Sequence, residues 1–186
     1  MKLSVFERKN LSKGKTNKIR REGNIPAVLY GKGMDNETIF VNGEEMKAIL
    51  RNMESGLLAT TLFSLQNGKK THKAIIKGVE YHPTDYSILH IDFAIVHDDQ
   101  PVSVNVPVQI TGAAECTGIK LGGFLRQVIR SLKVICLPKK IPQRFVLDVR
   151  ELDIFGSKRL SDIAVPEGVR PVGSLNEVAV VIAKRL

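Results

Sequence analysis

The sequence predicts a mainly β protein of two small domains, and three observations support this prediction. Several segments alternate apolar and polar residues, which is the period of a strand with one buried face. Gly and Pro residues separate these segments, as they do in turns. A polar break, HDDQP at residues 97–101, interrupts the alternation near the middle of the 186-residue chain. We therefore expect one domain over residues 1–96 and a second over residues 97–186.

The first element is a basic segment with little apolar content. The first 34 residues contain nine Lys or Arg and two acids, a net charge of +7 within a chain whose total is +9. Within them, Ser12–Glu22 has helix-forming residues, a candidate cap at Ser12 and a stop signal at Gly23. Its single apolar residue, Ile19, cannot form an apolar stripe. The sequence predicts a short basic helix or turn. Core packing cannot keep this segment in place, but a bound phosphate backbone could do so.

A hairpin and a helix are predicted next. Residues 26–30 and 38–41 have the composition of strands, and the GKG sequence at residues 31–33 tolerates the positive φ of a tight turn. Four apolar residues then recur at the spacing of one helix face, namely Met46, Ile49, Leu50 and Met53. The pattern indicates a helix over residues 43–53 that covers a barrel or a sheet.

A second hairpin is predicted from its turn. Residues 57–65 and 73–81 have strand-like patterns and flank Asn67-Gly68. These two residue types favour the positive φ that both central positions of a tight hairpin turn require. We therefore place the turn on this dipeptide, with one strand on each side.

The second domain restarts the β pattern after the break. Residues 102–110 alternate Val or Ile with polar neighbours. Further short strands are predicted at residues 133–137, 144–149 and 177–183, with Gly and Pro between them. The sequence GIKLGGF at residues 118–124 lacks the Lys-Ser/Thr of a phosphate-binding loop and is interpreted as a tight loop.

A strand over residues 86–96 carries a pair of polar groups. Alternation puts its apolar residues on one face and His90 with Asp92 on the other. A carboxylate can orient an imidazole for acid–base chemistry, but catalysis also needs a nucleophile or metal. No GxSxG, HExxH or P-loop pattern accompanies the pair. Near RNA, Asp92 would accept from a base amino group or a 2′-hydroxyl, or hold His90 in place.

Cations and one tyrosine are the other candidate RNA contacts. Tyr30 ends a strand beside a glycine turn, where its ring can stack on a base and its hydroxyl can reach a ribose or phosphate; a half-buried barrel tyrosine is the alternative. The cations of the basic segment can neutralise phosphates and release counterions, although a merely solvated basic face is equally compatible with them. These cations are Lys13, Lys15, Lys18, Arg20 and Arg21.

Several classes of site and location are not expected. Cys116 and Cys136 form no CxxC pair and fit free thiols in a reducing compartment. His72, His82 and His97 show no metal-ligand spacing with them. We expect no metal, no cofactor and no membrane span, and the start of the chain lacks the apolar run of a signal peptide. These features favour a cytoplasmic protein.

The ordered motifs of the chain resemble one ribosomal family. The motifs are KIRREGNIPAVLYGKG, VEYHPTDYSILHIDF, VPVQITGAAECTGIKLGGFL, VICLPKKIPQRFVLDV and VPEGV. In this order and spacing they are similar to the bacterial large-subunit ribosomal protein L-twenty-five family, in its long two-domain form, also called general stress protein Ctc. The resemblance extends from about Val5 to Val181.

The resemblance implies a fold, partners and contact residues. It implies a six-stranded β-barrel with short helices that docks on 5S rRNA in the central protuberance, resembling the anticodon-binding barrels of glutaminyl-tRNA synthetase, followed by a β-rich domain. The expected partners are 5S rRNA, the large ribosomal subunit and neighbouring ribosomal proteins, and the protein is expected to be a monomer when free. The family's RNA-contacting positions match Arg8, Arg20, Arg21, Tyr30, His90 and Asp92.

One departure from the family and three alternatives stay open. Many relatives have Arg where this chain has Asn17 and Lys18, so bidentate phosphate contacts there are expected to be weaker or absent. A tRNA-binding module is the first alternative, since the barrel resemblance would suit it. A hydrolase using His90 and Asp92 is the second. The third is a protein-interaction role for residues 102–186.

Overall fold

The computed structural model describes residues 1–8, 12–68 and 70–184. The chain divides into two compact units, Met1–Gln100 and Pro101–Leu186. The division lies inside the polar break at residues 97–101. That the two predicted segments, residues 1–96 and 97–186, are separate domains stays a prediction. Among the described residues, no helix combines the length and the apolar content that crossing a membrane requires.

The first unit is a closed six-stranded barrel, which confirms the predicted fold. The strands are β1 (Lys2–Glu7), β2 (Asn24–Gly31), β3 (Met34–Asn42), β4 (Leu62–Asn67), β5 (Lys70–Tyr81) and β6 (Ile88–Ile95). In the order of hydrogen-bonded neighbours they run β1-β3-β2-β6-β5-β4. Two neighbouring pairs are parallel, β1 with β4 and β2 with β6, and the others are antiparallel.

Two helices accompany the barrel, and both were predicted. Helix α1 spans Lys13–Arg21 and α2 spans Gly43–Asn52. Met46 of α2 is fully buried in the barrel core, which also contains an edge-to-face pair formed by Phe63 and Phe93, 6.2 Å between ring centroids. The other predicted apolar residues of this helix face, Ile49, Leu50 and Met53, pack against the core.

The predicted strand over residues 57–65 is wrong in its first half. Leu57–Thr60 form a 3₁₀ turn, and the strand begins only at Leu62. Gly56, with φ of 89°, redirects the chain there, and the hydroxyls of Thr60 and Thr61 donate to the carbonyl oxygen of Leu57 at 3.0 and 2.8 Å. Both local bonds satisfy one backbone acceptor, which in a strand would have paired with a neighbouring strand.

The second hairpin is confirmed, but its turn lies one residue later than predicted. Asn67 is the last residue of β4 and pairs with Lys70 of β5. Gly68, with φ of 56°, is therefore the first central residue of the turn. The predicted first central residue, Asn67, belongs to β4 instead, and residue 69 lies outside the described residues.

The second unit contains two further sheets, as expected for a β-rich segment. The strands are β7 (Val102–Thr111), β8 (Gly123–Gln127), β9 (Ser131–Cys136), β10 (Phe145–Asp148), β11 (Ser157–Arg159), β12 (Val169–Pro171) and β13 (Val178–Lys184). The sheet orders are β10-β7-β9-β12 and β11-β13-β8. Residues 118–124, predicted as a tight loop, contain most of a one-turn helix, α3 (Thr117–Lys120), and the start of β8. Cys116 and Cys136 are buried free thiols.

Candidate nucleic-acid interface

Helix α1 contains the predicted basic segment and buries none of its residues. Ser12 occupies the N-cap position, yet its hydroxyl makes no capping bond. At the other end, Gly23 has φ of 80° and donates its N–H to the carbonyl oxygen of Arg20 at 3.1 Å, which ends the helix as predicted. A short helix without a buried stripe is marginal in water, so contacts from outside α1 must stabilise it.

Two arginines attach α1 to the barrel. The Nη1 of Arg8, which follows β1, donates to Thr16 Oγ1 at 3.1 Å. The Nε and Nη2 of Arg20 donate to the carbonyl oxygen of Leu89 at 3.3 and 3.1 Å. The helix also packs against β2. The cations of α1 are therefore held beside β6, the strand that carries His90.

Arg8 is fixed more firmly than a surface arginine. Its backbone N–H donates to the carbonyl oxygen of Thr38 at 2.9 Å, and Thr38 Oγ1 donates to the carbonyl oxygen of Arg8 at 2.6 Å. Its Nε is buried and, within the described part of the chain, has no hydrogen-bond acceptor. Buried donors without acceptors are rare and unfavourable by about 1–3 kcal/mol. Arg8 therefore combines a fixed backbone with a donor that the described residues leave unsatisfied.

The outer face of β2 and β6 brings Tyr30, His90 and Asp92 together. The two strands are parallel, with Val28 opposite Asp92 and Tyr30 opposite Ala94. His90 Nδ1 lies 3.1 Å from Asp92 Oδ1. Burial, and secondarily the nearby Asp92 carboxylate, raise the pKa of Tyr30 above its ordinary value. The Tyr30 hydroxyl therefore keeps its proton at neutral pH and can donate a hydrogen bond.

The remaining predicted cations lie on the open surface of α1. Lys13, Lys15, Lys18 and Arg21 are exposed. Lys18 Nζ lies 3.8 Å from a carboxylate oxygen of Glu22, one turn later. An ion pair this exposed contributes little stability. These side chains can therefore turn toward a polyanion without breaking a contact that the fold needs.

Sequence reasoning missed three contributors to this face. The Thr16 hydroxyl accepts a hydrogen bond from Arg8, and the Leu89 carbonyl oxygen accepts from Arg20. No sequence pattern distinguishes either acceptor. Gly78 on β5 lies opposite Asp92, and a Cβ there would come within 3.1 Å of Asp92 Oδ2. A glycine inside a predicted strand does signal a close approach, so Gly78 could have been found.

The described side chains form no obvious metal site. Within residues 1–8, 12–68 and 70–184, no three His, Cys, Asp or Glu side chains come together as ligands. The face of Tyr30, His90 and Asp92 instead combines donors, acceptors and nearby cations. Such an arrangement suits binding to a polyanion that also displays hydroxyls.

Comparison with known proteins assigns both halves of the chain. The model of the Ribosomal L25p family matches residues 3–93. The model of the ribosomal protein TL5 C-terminal domain matches residues 101–185. Proteins named large ribosomal subunit protein bL25 from Chlamydia trachomatis serovar L2, Chlamydia abortus and Chlamydia pneumoniae are 44%, 42% and 40% identical over 185 residues, covering 100% of each chain. The chain belongs to the Ribosomal L25p family.

Membership of the Ribosomal L25p family confirms two predictions. The resemblance drawn from the motifs is correct, including the long form, since the second half matches a model of its own. The L25p family is one of structural ribosomal proteins, so the chain is not an enzyme. The His90–Asp92 pair is therefore not a catalytic pair.

Proposed function

We propose that this protein is a structural component of the large ribosomal subunit that binds 5S rRNA in the central protuberance. Residues 1–96 form the RNA-binding domain in this proposal, and residues 97–186 form a second domain. The observation that carries it is the attachment of α1: a basic helix with no buried residue is held by Arg8 and Arg20 beside the polar face of β6. A helix held in this way has no role in the core and presents its cations to a partner.

The cations supply affinity. RNA carries a dense phosphate charge, and each Lys or Arg that neutralises a phosphate releases a condensed counterion. Binding through α1 should therefore weaken steeply as salt increases. The proposed phosphate contacts are Arg8, Lys13, Lys15, Lys18, Arg20 and Arg21.

The outer face of β2 and β6 supplies selectivity. The minor groove of an RNA helix is wide and shallow and displays 2′-hydroxyls and base edges. Asp92 repels phosphates but accepts well from hydroxyls and base amino groups. Because Asp92 lies against His90 Nδ1, the imidazole is oriented and its Nε2 is left for the RNA. Tyr30 adds a protonated hydroxyl and a ring at the edge of this face.

The test is a competition experiment on the full chain. Labelled 5S rRNA is titrated with protein across a salt series, with tRNA and a random RNA duplex as competitors. We expect 5S rRNA to be preferred over both. Equal competition by tRNA would favour a tRNA-binding module. Salt-sensitive binding without any preference among the RNAs would indicate non-specific electrostatic attraction and would contradict the proposal.

Two variants separate affinity from selectivity. Arg21→Ala should weaken binding and lower the slope of log affinity against log salt by about 1. Arg51→Ala is the matched control, because Arg51 is an exposed arginine in the last turn of α2; it should leave both quantities unchanged. Asp92→Ala should reduce the preference for 5S rRNA over random duplex. Uniformly tighter binding of Asp92→Ala to every RNA would contradict the role given to this carboxylate.

A further inference from the structure

A second feature of the barrel surface is a groove of about 450 Å³ between the ends of α1 and α2 and the loop that joins β5 to β6. Ile25, Leu50 and Ile88 contribute apolar lining. Gly23 and Gly43 also line it, and their backbones lie so close that a Cβ on Gly43 would collide with the Gly23 carbonyl oxygen. Close backbone packing therefore contributes to one part of the groove wall.

Two exposed tyrosines line this groove and do not belong to the barrel core. Tyr81 and Tyr86 both line it, and they are 49% and 77% exposed. Tyr86 is also held in the left-handed backbone region, with φ of 55°. A bulky residue in that region is strained, and such strain tends to occur at functional sites. Tyr86 thus combines an exposed ring with an unfavourable backbone conformation, and it lies in a groove.

A network of polar bonds holds Tyr86 in this conformation. The Tyr86 N–H donates to the carbonyl oxygen of His82 at 3.0 Å, and the His82 N–H donates to that of Ser87 at 2.8 Å. Asp85 Oδ1 accepts from the N–H and the hydroxyl of Ser87 at 3.2 and 2.9 Å. The turn on either side of Tyr86 is thus closed by the loop's own groups, which presents the ring in a preorganised position.

Cations lie beside the tyrosines. Lys47, on the exposed side of α2, and Arg20 line the same groove. Asp85 is the one acid among the lining residues, and its carboxylate is already engaged by Ser87. Exposed aromatic rings next to an apolar floor and two cations are the combination with which proteins stack unpaired bases and hold the adjoining phosphates.

We propose that this groove binds an unstacked nucleotide of the same RNA, with its base on Tyr86 and Tyr81 and its phosphate near Lys47. The inference rests on the proposed binding of 5S rRNA and adds a second contact to it. Continuity favours RNA over a protein occupant: Arg20 lines the groove and also bonds the carbonyl of Leu89, next to His90. A bound RNA strand that continues past His90 would therefore reach the groove directly.

The experiment uses Tyr86→Asn in the full chain and a control from the second unit. Asparagine tolerates the left-handed region, so the variant removes the ring without adding backbone strain. Phe155 is the matched control, because it also has positive φ, 66°, and is 74% exposed. Phe155→Asn removes a comparable aromatic ring from a comparable backbone. Affinity for a 5S rRNA transcript is measured for each variant across a salt series.

We expect Tyr86→Asn to weaken binding about 5- to 150-fold, the range for loss of one base–aromatic stack, with an unchanged salt slope because no phosphate contact is lost. Tyr86→Phe should bind as the original chain does, since the ring is kept. Phe155→Asn should have no effect. Lys47→Gln should lower the salt slope by about 1.

The outcomes separate this inference from the proposed function. If the original chain shows no preference for 5S rRNA, the proposed function and the inference both fail. If the original chain is selective and Tyr86→Asn binds equally well, only the inference is overturned. Normal 5S rRNA binding by Tyr86→Asn together with poor incorporation into large subunits would assign the groove to a protein neighbour and would also overturn it.

Discussion

Helices α1 and α2 have nearly equal lengths, nine and ten residues, but are stabilised in opposite ways. In α2, the Asn42 side chain accepts from the N–H groups of Glu44 and Glu45 at 2.8 and 3.3 Å, and Met46 is buried. Acids occupy its first turn and Arg51 its last, which suits the helix dipole. Helix α1 has no acid in its first turn, no side-chain cap and no buried residue.

The difference separates a helix that stabilises the barrel from a helix whose proposed role is to bind RNA. Helix α2 combines an N-cap and charges that match its dipole with a buried contribution to the barrel core. Helix α1 depends on two arginines that belong to the proposed interface, so its position and its binding surface are maintained by the same side chains. Changes to the capping and buried residues of α2 should therefore alter stability, whereas changes to the exposed cations of α1 should alter RNA binding.

The largest expected effect comes from the core residue of α2. Met46→Ala should lower the free energy of unfolding by about 2–5 kcal/mol, because it leaves a cavity in the barrel. Ile19→Ala, which removes the one apolar side chain of α1, should cost less than about 1 kcal/mol, since Ile19 is only partly buried. Chemical denaturation measures both values. Similar losses in the two variants would contradict the comparison.

A smaller effect is expected when α1 is released from the barrel. Arg20→Ala removes both hydrogen bonds to the Leu89 carbonyl oxygen and should destabilise the protein by about 1–2 kcal/mol. Hydrogen exchange should become faster in α1 while α2 keeps its protection, and 5S rRNA affinity should fall. Arg20→Lys keeps the charge but loses the forked geometry, so it should restore salt-sensitive binding only in part. Equal loss of protection in both helices would show that α1 is not separately attached.

The two N-caps offer the next test. Asn42→Ala should destabilise by about 1 kcal/mol, because two N–H groups of α2 lose their acceptor. Ser12→Ala should be nearly silent, since the Ser12 hydroxyl makes no capping bond. Thermal unfolding with both variants in parallel measures the difference. A destabilised Ser12→Ala would mean that α1 has a cap of its own in solution.

The smallest effect concerns the outer face of β2 and β6. Tyr30 titrates above its ordinary pKa, chiefly through burial and secondly through Asp92. The folded protein therefore holds this proton more tightly than the unfolded chain, so stability should decrease as pH rises from about 10 through the folded pKa. Asp92→Asn should lower the pKa of Tyr30 without restoring the ordinary value, because burial is unchanged. Ultraviolet titration, with Tyr30→Phe to identify the signal, measures this shift; an unchanged pKa would place Asp92 too far away to act.

Periodicity and turn residues predicted much of the barrel unit. They located α2, the hairpin of β2 and β3, and the alternation of β6 that places His90 beside Asp92. They missed β1, although Leu3 and Val5 alternate there and are buried, and they extended a strand over residues 57–60. The error has a physical reason. A short apolar run is compatible with a strand or with a turn, and only its pairing with a neighbouring strand decides between them.

The sequence by itself determined the local and compositional properties of this protein. The charge excess of the first 34 residues, the lack of an apolar stripe in α1 and the family motifs are all present in the linear chain. Only the tertiary structure decided how these parts meet. The barrel closes by pairing Lys2 with Ser64, and α1 is attached by a bond from Arg20 to Leu89. Such contacts join residues far apart in the chain, where local periodicity and turn chemistry carry no information about which partners will meet.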